Sequence, residues 1–292
     1  MSVIDLTRVG RALDTIRVRA WRLHLQTPGV KASVPMLRGV WGAALREIAP
    51  AVYDRVFGGG ESQSPRYLMR PAARDVRPAP AVEYLLFGHP DPEIDAAVWA
   101  AWDRASAMGL GPNRRPFHMV STVPFAWDGT PLRPGRDQPG FALAPLPWPI
   151  DIDGLDAACR LDFPAPLRLI HQRRLVTQPA PPDLAIAALR RIQALAAPHP
   201  DADALWNERR DRIELARSIP VGPWQGQRLD LARYSGSQRS EVVLHGVSGS
   251  LPFPSGLSPL TPLLLASEWL HLGKGTVMGL GQVRIVPIDA PH

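Results

Sequence analysis

The order of elements along the chain repeats once, and this narrows the possible folds more than any single motif. "DTIRVRAWRLHLQT" (14–27) alternates, with Ile16, Val18, Trp21, Leu23 and Leu25 apolar and a slip of phase near Ala20, which predicts a first strand. "PMLRGVWGAALREIAPAVYDRVF" (35–57) spaces Leu37, Val40, Trp41, Ala44, Leu45 and Ile48 as one helix face. Residues 58–80, rich in glycine, proline and arginine, read as a surface loop. "AVEYLLFG" (81–88) predicts a strand and "DPEIDAAVWAAWDRASAMG" (91–109) a helix, after which "GLGPNRRPFHMVSTVPF" gives a basic glycine-bearing loop and another strand.

The second half has the same grammar. "ACRLDFPAPLRL" (158–169) predicts a strand ending in a turn, "PPDLAIAALRRIQALAAP" (181–198) a helix, and "ADALWNERRDRIELARSI" (202–219) a further helix. "QRLDLARYSGSQRSEVVLHGVSGSL" (227–251) holds two strand-like runs around a Ser-Gly turn. A helix in "LSPLTPLLLASEWLHLG", a glycine loop and the strand "QVRIVPI" complete it. Strand, helix, strands, helix, basic glycine loop, strand is the order of a ferredoxin-like β-α-β-β-α-β unit. The expectation is an α+β protein of two such units, also called RRM-like, in tandem over residues 1–148 and 156–292, with the proline-rich 145–155 as linker.

The 292 residues carry a net charge of +6, and only two of the 33 basic residues, Lys31 and Lys274, are lysine. With a pI near 10.2, a nucleic-acid partner is plausible, because the arginine fork donates bidentately to phosphate. Cys159 is the single cysteine, which leaves no internal disulfide and no multi-cysteine metal site. No apolar signal core or membrane-length run is present, so the expectation is a soluble, cytoplasmic protein with no membrane partner. Two acidic runs, Asp201, Asp203, Glu208 and Asp91, Glu93, Asp95, open helices and complement their dipoles rather than suggesting a metal.

"HLGKGTVMGLGQVRI" (271–285) concentrates Gly273, Gly275, Gly279 and Gly281 around Lys274. Glycine lets a backbone come close to a ligand, so the stretch reads as an amide-lined cradle for an anion, or as a turn joining helix to strand. It is not a P-loop, since a strand follows Lys274, and not a dinucleotide fingerprint, since Met278 stands where the third glycine belongs. A mononucleotide phosphate would be an alternative guest.

"GLSPLTPLLLASEWLHLGKGTVMGLGQVRI" (256–285), with "RYSGSQRSEVVLHGVSGSL" before it, "RLDFPAPLRL" and "MLRGVWGAALRE", resembles the CRISPR-associated endoribonucleases of the RAMP superfamily, which cut the repeats of precursor CRISPR RNA. The resemblance implies repeat RNA as partner, as precursor and as mature guide, together with other CRISPR effector subunits. It also implies cleavage by the RNA's own 2′-hydroxyl, leaving a 2′,3′-cyclic phosphate, with no metal and no small-molecule cofactor. RNA contacts are then expected at Gly273, Lys274, Gly275, Thr276, Gly279 and Gly281, at His271 beside them, at Arg233 and Arg239, and at Arg114 and Arg115 in the first half. Members commonly place a histidine in or near the first helix, and residues 31–57 contain none. His24 on the first strand is the candidate for that role, and Lys31 and Arg38 are the candidates for holding the scissile phosphate and stabilising the transition-state charge. The missing histidine opens the alternative of a non-cleaving RNA-binding subunit.

Overall fold

The computed structural model describes residues 6–58, 64–72, 81–133, 140–143, 157–196, 198–235 and 240–288. The chain divides into two compact units, one made of Arg17–Phe141 with Val277–Gly279, the other of Met1–Ile16, Ala142–Thr276 and Leu280–His292. The linker expected over 145–155 lies outside the described residues.

In the N-terminal unit β1 (Arg17–Gln26), β2 (Tyr67–Pro71), β3 (Ala81–Phe87) and β4 (His118–Pro124) form an antiparallel sheet in the order β2-β3-β1-β4, with short β5 (Phe141–Ala142) also on β1. Trp21, Leu23 and Leu25 point from β1 to one face, where α2 (Val34–Ile48) and α4 (Pro92–Met108) cover them. Trp41 of α2 centres this core, with ring centroids 5.0 Å from Tyr67, 5.2 Å from Tyr84 and 5.9 Å from Trp102. Ser33 caps α2 by accepting from the Met36 amide, and Asp91 caps α4 by accepting from those of Glu93 and Ile94. Val277 packs on the same core.

Two expectations are corrected here. The single helix over 35–57 is two, α2 and α3 (Pro50–Phe57). Pro50 has no N–H to continue the ladder and clashes with the preceding turn, so the chain bends at Ala49, and Pro50 instead opens α3. The loop over 58–80 contains β2, whose Tyr67, Leu68 and Met69 are buried while its polar flanks masked the signal.

In the C-terminal unit β6 (Cys159–Leu167), β9 (Gln225–Ser235), β10 (Ser240–Phe253) and β11 (Arg284–Pro287) run antiparallel in the order β11-β6-β10-β9. Both sheets therefore place the first and third strands of the unit centrally, as two ferredoxin-like units should. Its helices are α5 (Pro181–Ala196), α6 (Pro200–Asn207), α7 (Arg209–Arg217) and α8 (Thr261–Leu270). The one helix expected over 202–219 is interrupted at Glu208, which holds ψ near 5°. A helix not foreseen, α1 (Leu6–Asp14), belongs to this unit and packs on α5, α6 and α8. Between β6 and α5 lies a small hairpin, β7 (Ile170–His171) and β8 (Arg174–Leu175).

Candidate nucleic-acid interface

The glycine loop leaves α8 at His271, which takes a left-handed φ of 56° and is fully buried. Its Nδ1–H donates to the Leu280 carbonyl at 3.0 Å, so this histidine ties the two ends of the loop together. All four glycines are left-handed, at φ 79°, 84°, 79° and 68° for Gly273, Gly275, Gly279 and Gly281. Close approach adds a second demand: a Cβ on Gly273 would sit 2.5 Å from the Arg168 carbonyl oxygen, and one on Gly281 only 1.8 Å from that of Leu272.

The amides of this loop are partly committed. Leu272 N–H donates to Gly281 O, Lys274 N–H to Arg168 O and Gly281 N–H to Pro166 O, each at 2.9 Å, and Leu280 N–H reaches Gly275 O at 3.4 Å. What the loop turns outward is Gly273 and the Lys274 side chain, with Gly275 half-exposed, while Thr276 is buried at the start of a 3-10 turn over Thr276–Met278. An amide cradle is thus narrower than the glycine count suggests, and the exposed cation is its main feature.

In the N-terminal unit the loop after β1 carries Lys31, exposed, two residues before the Ser33 cap. The turn bearing Arg114 and Arg115 lies against this loop: Arg115 Nη1 donates to Gly29 O at 3.4 Å, and Arg114 is left-handed with φ 46°. Lys31, Arg114 and Arg115 are therefore brought to one end of the sheet, with His118 exposed at the start of β4 opposite Gln26. Arg38 is engaged elsewhere. Its Nε donates to the Tyr67 hydroxyl at 3.0 Å, and its guanidinium lies 5.0 Å from the Phe57 ring centroid. Burial pushes the Tyr67 phenol well above its ordinary range. His24 is 5% exposed on the central strand, flanked by Ala81 and Ser121.

Arg233 lies on β9 opposite Val242, away from the glycine loop in sequence, and Arg239 lies outside the described residues. Sequence reasoning passed over Arg228, Asp230 and His245 on the exposed β9–β10 surface, where Asp230 Oδ1 is 2.6 Å from His245 Nδ1. That bond holds the Asp230 carboxyl below its ordinary range. Only the strand register reveals this pair, because the two residues are fifteen apart in sequence. Among the described residues no cluster of three or more His, Cys, Asp or Glu side chains is placed to hold a metal ion, and no helix is long and apolar enough to cross a membrane.

Residues 161–283 match the model of the CRISPR-associated endoribonuclease Cas6 family. A Thermus thermophilus Cas6 product complex superposes over 94% of this chain and 100% of its own at 14% identity, with a TM-score of 0.57. The fold is that of Cas6. A second Cas6 product complex covers 92% of this chain and 99% of its own at 19% identity and a TM-score of 0.54. A chain of a partial Cas6-RT-Cas1–Cas2 complex covers 96% of this chain and 48% of its own at 13% identity, with a TM-score of 0.59. No curated protein matches the chain in sequence. The Cas6 sequence match spans β6 through Val283, so it includes the glycine loop and most of the C-terminal sheet.

Proposed function

We propose that this chain is an endoribonuclease that binds the CRISPR repeat in a precursor transcript and cuts it to give mature guide RNA, working beside other CRISPR effector subunits. The observation that carries this is the coincidence of the Cas6 family match over 161–283 with a Cas6 fold over nearly the whole chain. The cut is made by the RNA's own 2′-hydroxyl attacking the adjacent phosphate, giving a 2′,3′-cyclic phosphate and a 5′-hydroxyl. The protein's share is alignment for in-line attack and charge stabilisation at the phosphate. Lys31 takes the second task, being the exposed one of the three residues proposed for chemistry. Lys274 and the outward edge of the glycine loop hold RNA, as do Arg114 and Arg115.

A second reading, a non-cleaving RNA-binding subunit, is favoured by one observation. His24 is almost wholly buried, and Arg38 is bound to Tyr67, so neither offers an accessible group for proton transfer. Cognate repeat RNA decides between them. Cleavage is expected to proceed in EDTA and to stop when the nucleotide before the scissile bond is 2′-deoxy. Lys31→Ala should lower the single-turnover rate by about 10²–10³-fold with binding retained. Cleavage abolished by EDTA and restored by magnesium overturns the mechanism. Binding without any cleavage moves the chain to the second reading.

A further inference from the structure

We propose that the β7–β8 hairpin is a second phosphate-gripping element of the C-terminal unit, contacting the RNA backbone through Arg173 and Arg174 beside the glycine loop. The proposal rests on the repeat-RNA reading given above and assigns to it residues outside the glycine loop.

The hairpin is the shortest possible, with Gln172 and Arg173 alone connecting His171 to Arg174. Both connecting residues are left-handed, at φ 46° and 63°. A two-residue turn with two positive φ angles is the type I′ hairpin turn, for which Asn-Gly is the favourable sequence. Here it is built from two long side chains, each strained in that conformation. Local sequence that opposes local structure marks a place where the side chains serve something other than the fold.

The charges point the same way. Several other surface arginines of this unit have acidic neighbours, as Arg160 has Asp162, Arg217 has Glu214 and Arg228 has Asp230, whereas Arg190, Arg210 and Arg284 are exposed singly on other elements. Arg173, Arg174 and Lys274 are exposed and, among the described residues, carry no ion pair. The hairpin is also fixed to the loop. Arg168, just before β7, bridges to Gly273, and its carbonyl accepts from the Lys274 amide at 2.9 Å. Arg168 Nε itself is buried with no hydrogen-bond partner. An uncompensated cationic tip on a strand whose backbone is tied to that of an uncompensated lysine suits a polyanion whose phosphates recur along a backbone.

The test measures binding of cognate repeat RNA across a salt series, with melting temperature alongside. Arg173→Ala/Arg174→Ala should weaken binding about tenfold at moderate salt and flatten the log–log salt slope by about 1.4–1.8, the share of two phosphate contacts. Arg173→Lys/Arg174→Lys should keep the parental slope. Arg173→Gly separates fold from function, because it relieves the left-handed strain and removes a cation: melting temperature should rise while affinity falls. If Arg173→Gly and the double alanine variant bind RNA with parental affinity and slope while Lys274→Ala weakens binding, the hairpin proposal fails and the RNA reading stands. A melting temperature lowered by Arg173→Gly also overturns it, since the turn would then not be strained. A parent chain that binds no repeat RNA overturns both.

Discussion

Arg38 illustrates how a side chain suited to phosphate is committed to packing by its surroundings. On the sequence it stands at the start of the first long helix, where a cation facing a cleft would stabilise a transition state. Its guanidinium instead covers Phe57 and gives Nε–H to Tyr67, whose hydroxyl is buried in the aromatic core. Removing the donor leaves that hydroxyl short of a partner in an apolar site, a cost of about 1–3 kcal/mol. Arg38→Ala should therefore lower the urea-unfolding free energy by about that amount, and adding Tyr67→Phe should recover part of it, because the stranded group is gone. Cleavage by the double variant is expected to stay near the parental rate. A double variant with restored stability and lost cleavage would return Arg38 to the phosphate. The sequence could not distinguish these roles, since Tyr67 lies on a strand that its polar flanks concealed.

At the scale of elements, the glycine loop shows what its sequence did and did not disclose. The spacing of Gly273, Gly275, Gly279 and Gly281 announced a backbone with special requirements, and all four are left-handed. What the spacing did not disclose is the source of the constraint, which at Gly273 and Gly281 is the chain's own carbonyls at 2.5 and 1.8 Å from a hypothetical Cβ. At Gly273 the approach depends on the segment just after β6 running past the loop, and at Gly281 on the loop folding back onto its own start at Leu272; neither has a local signature. The strand order was legible for the opposite reason: it follows from counting alternating and helical segments, which local periodicity reports directly. Elements whose patterns were brief or polar, β2 and the β7–β8 hairpin, escaped. The geometry predicts an order of sensitivity within the loop. Gly281→Ala should cost about 3 kcal/mol or more, combining left-handed strain with a backbone clash, and Gly273→Ala somewhat less. Gly275→Ala should cost about 1–2 kcal/mol from its left-handed φ of 84°. Chemical denaturation of the three variants checks the ranking, and equal costs at Gly275 and Gly281 would contradict it.

At the scale of the whole molecule, the chain does not fill its units in sequence order. Helix α1, the earliest described element, packs with the C-terminal unit, while the strand that follows it opens the other unit. Amphipathic pattern explains why α1 needs a partner: Val9, Ala12 and Leu13 are each at most 2% exposed. Charge fixes which partner, because Arg11 chelates Asp201 at 2.9 and 3.1 Å and Arg8 pairs with Glu208. The hydrogen bond from Arg11 holds the Asp201 carboxyl below its ordinary range. A depressed carboxyl stabilises the fold at pH values above its unfolded pKa of about 3.9, and this contribution is lost as pH falls through the lower, folded value. Nothing in the sequence before residue 17 names α5 or α6 as its neighbours, and only the tertiary packing supplies that pairing. Leu13→Ala gives the arrangement a measurable signature in the full chain. Large-to-small truncation at a buried site should cost about 2–5 kcal/mol. Amide hydrogen exchange should then lose protection in α5–α8 and β6–β11, more than a hundred residues downstream, while β1–β4 keep theirs. In Arg11→Ala the same C-terminal elements should loosen at pH 6, and its difference from the parent should shrink as the pH is taken below about 4. Protection lost mainly over Arg17–Pro124 would mean that α1 stabilises the unit beside it in sequence and not the one it packs against.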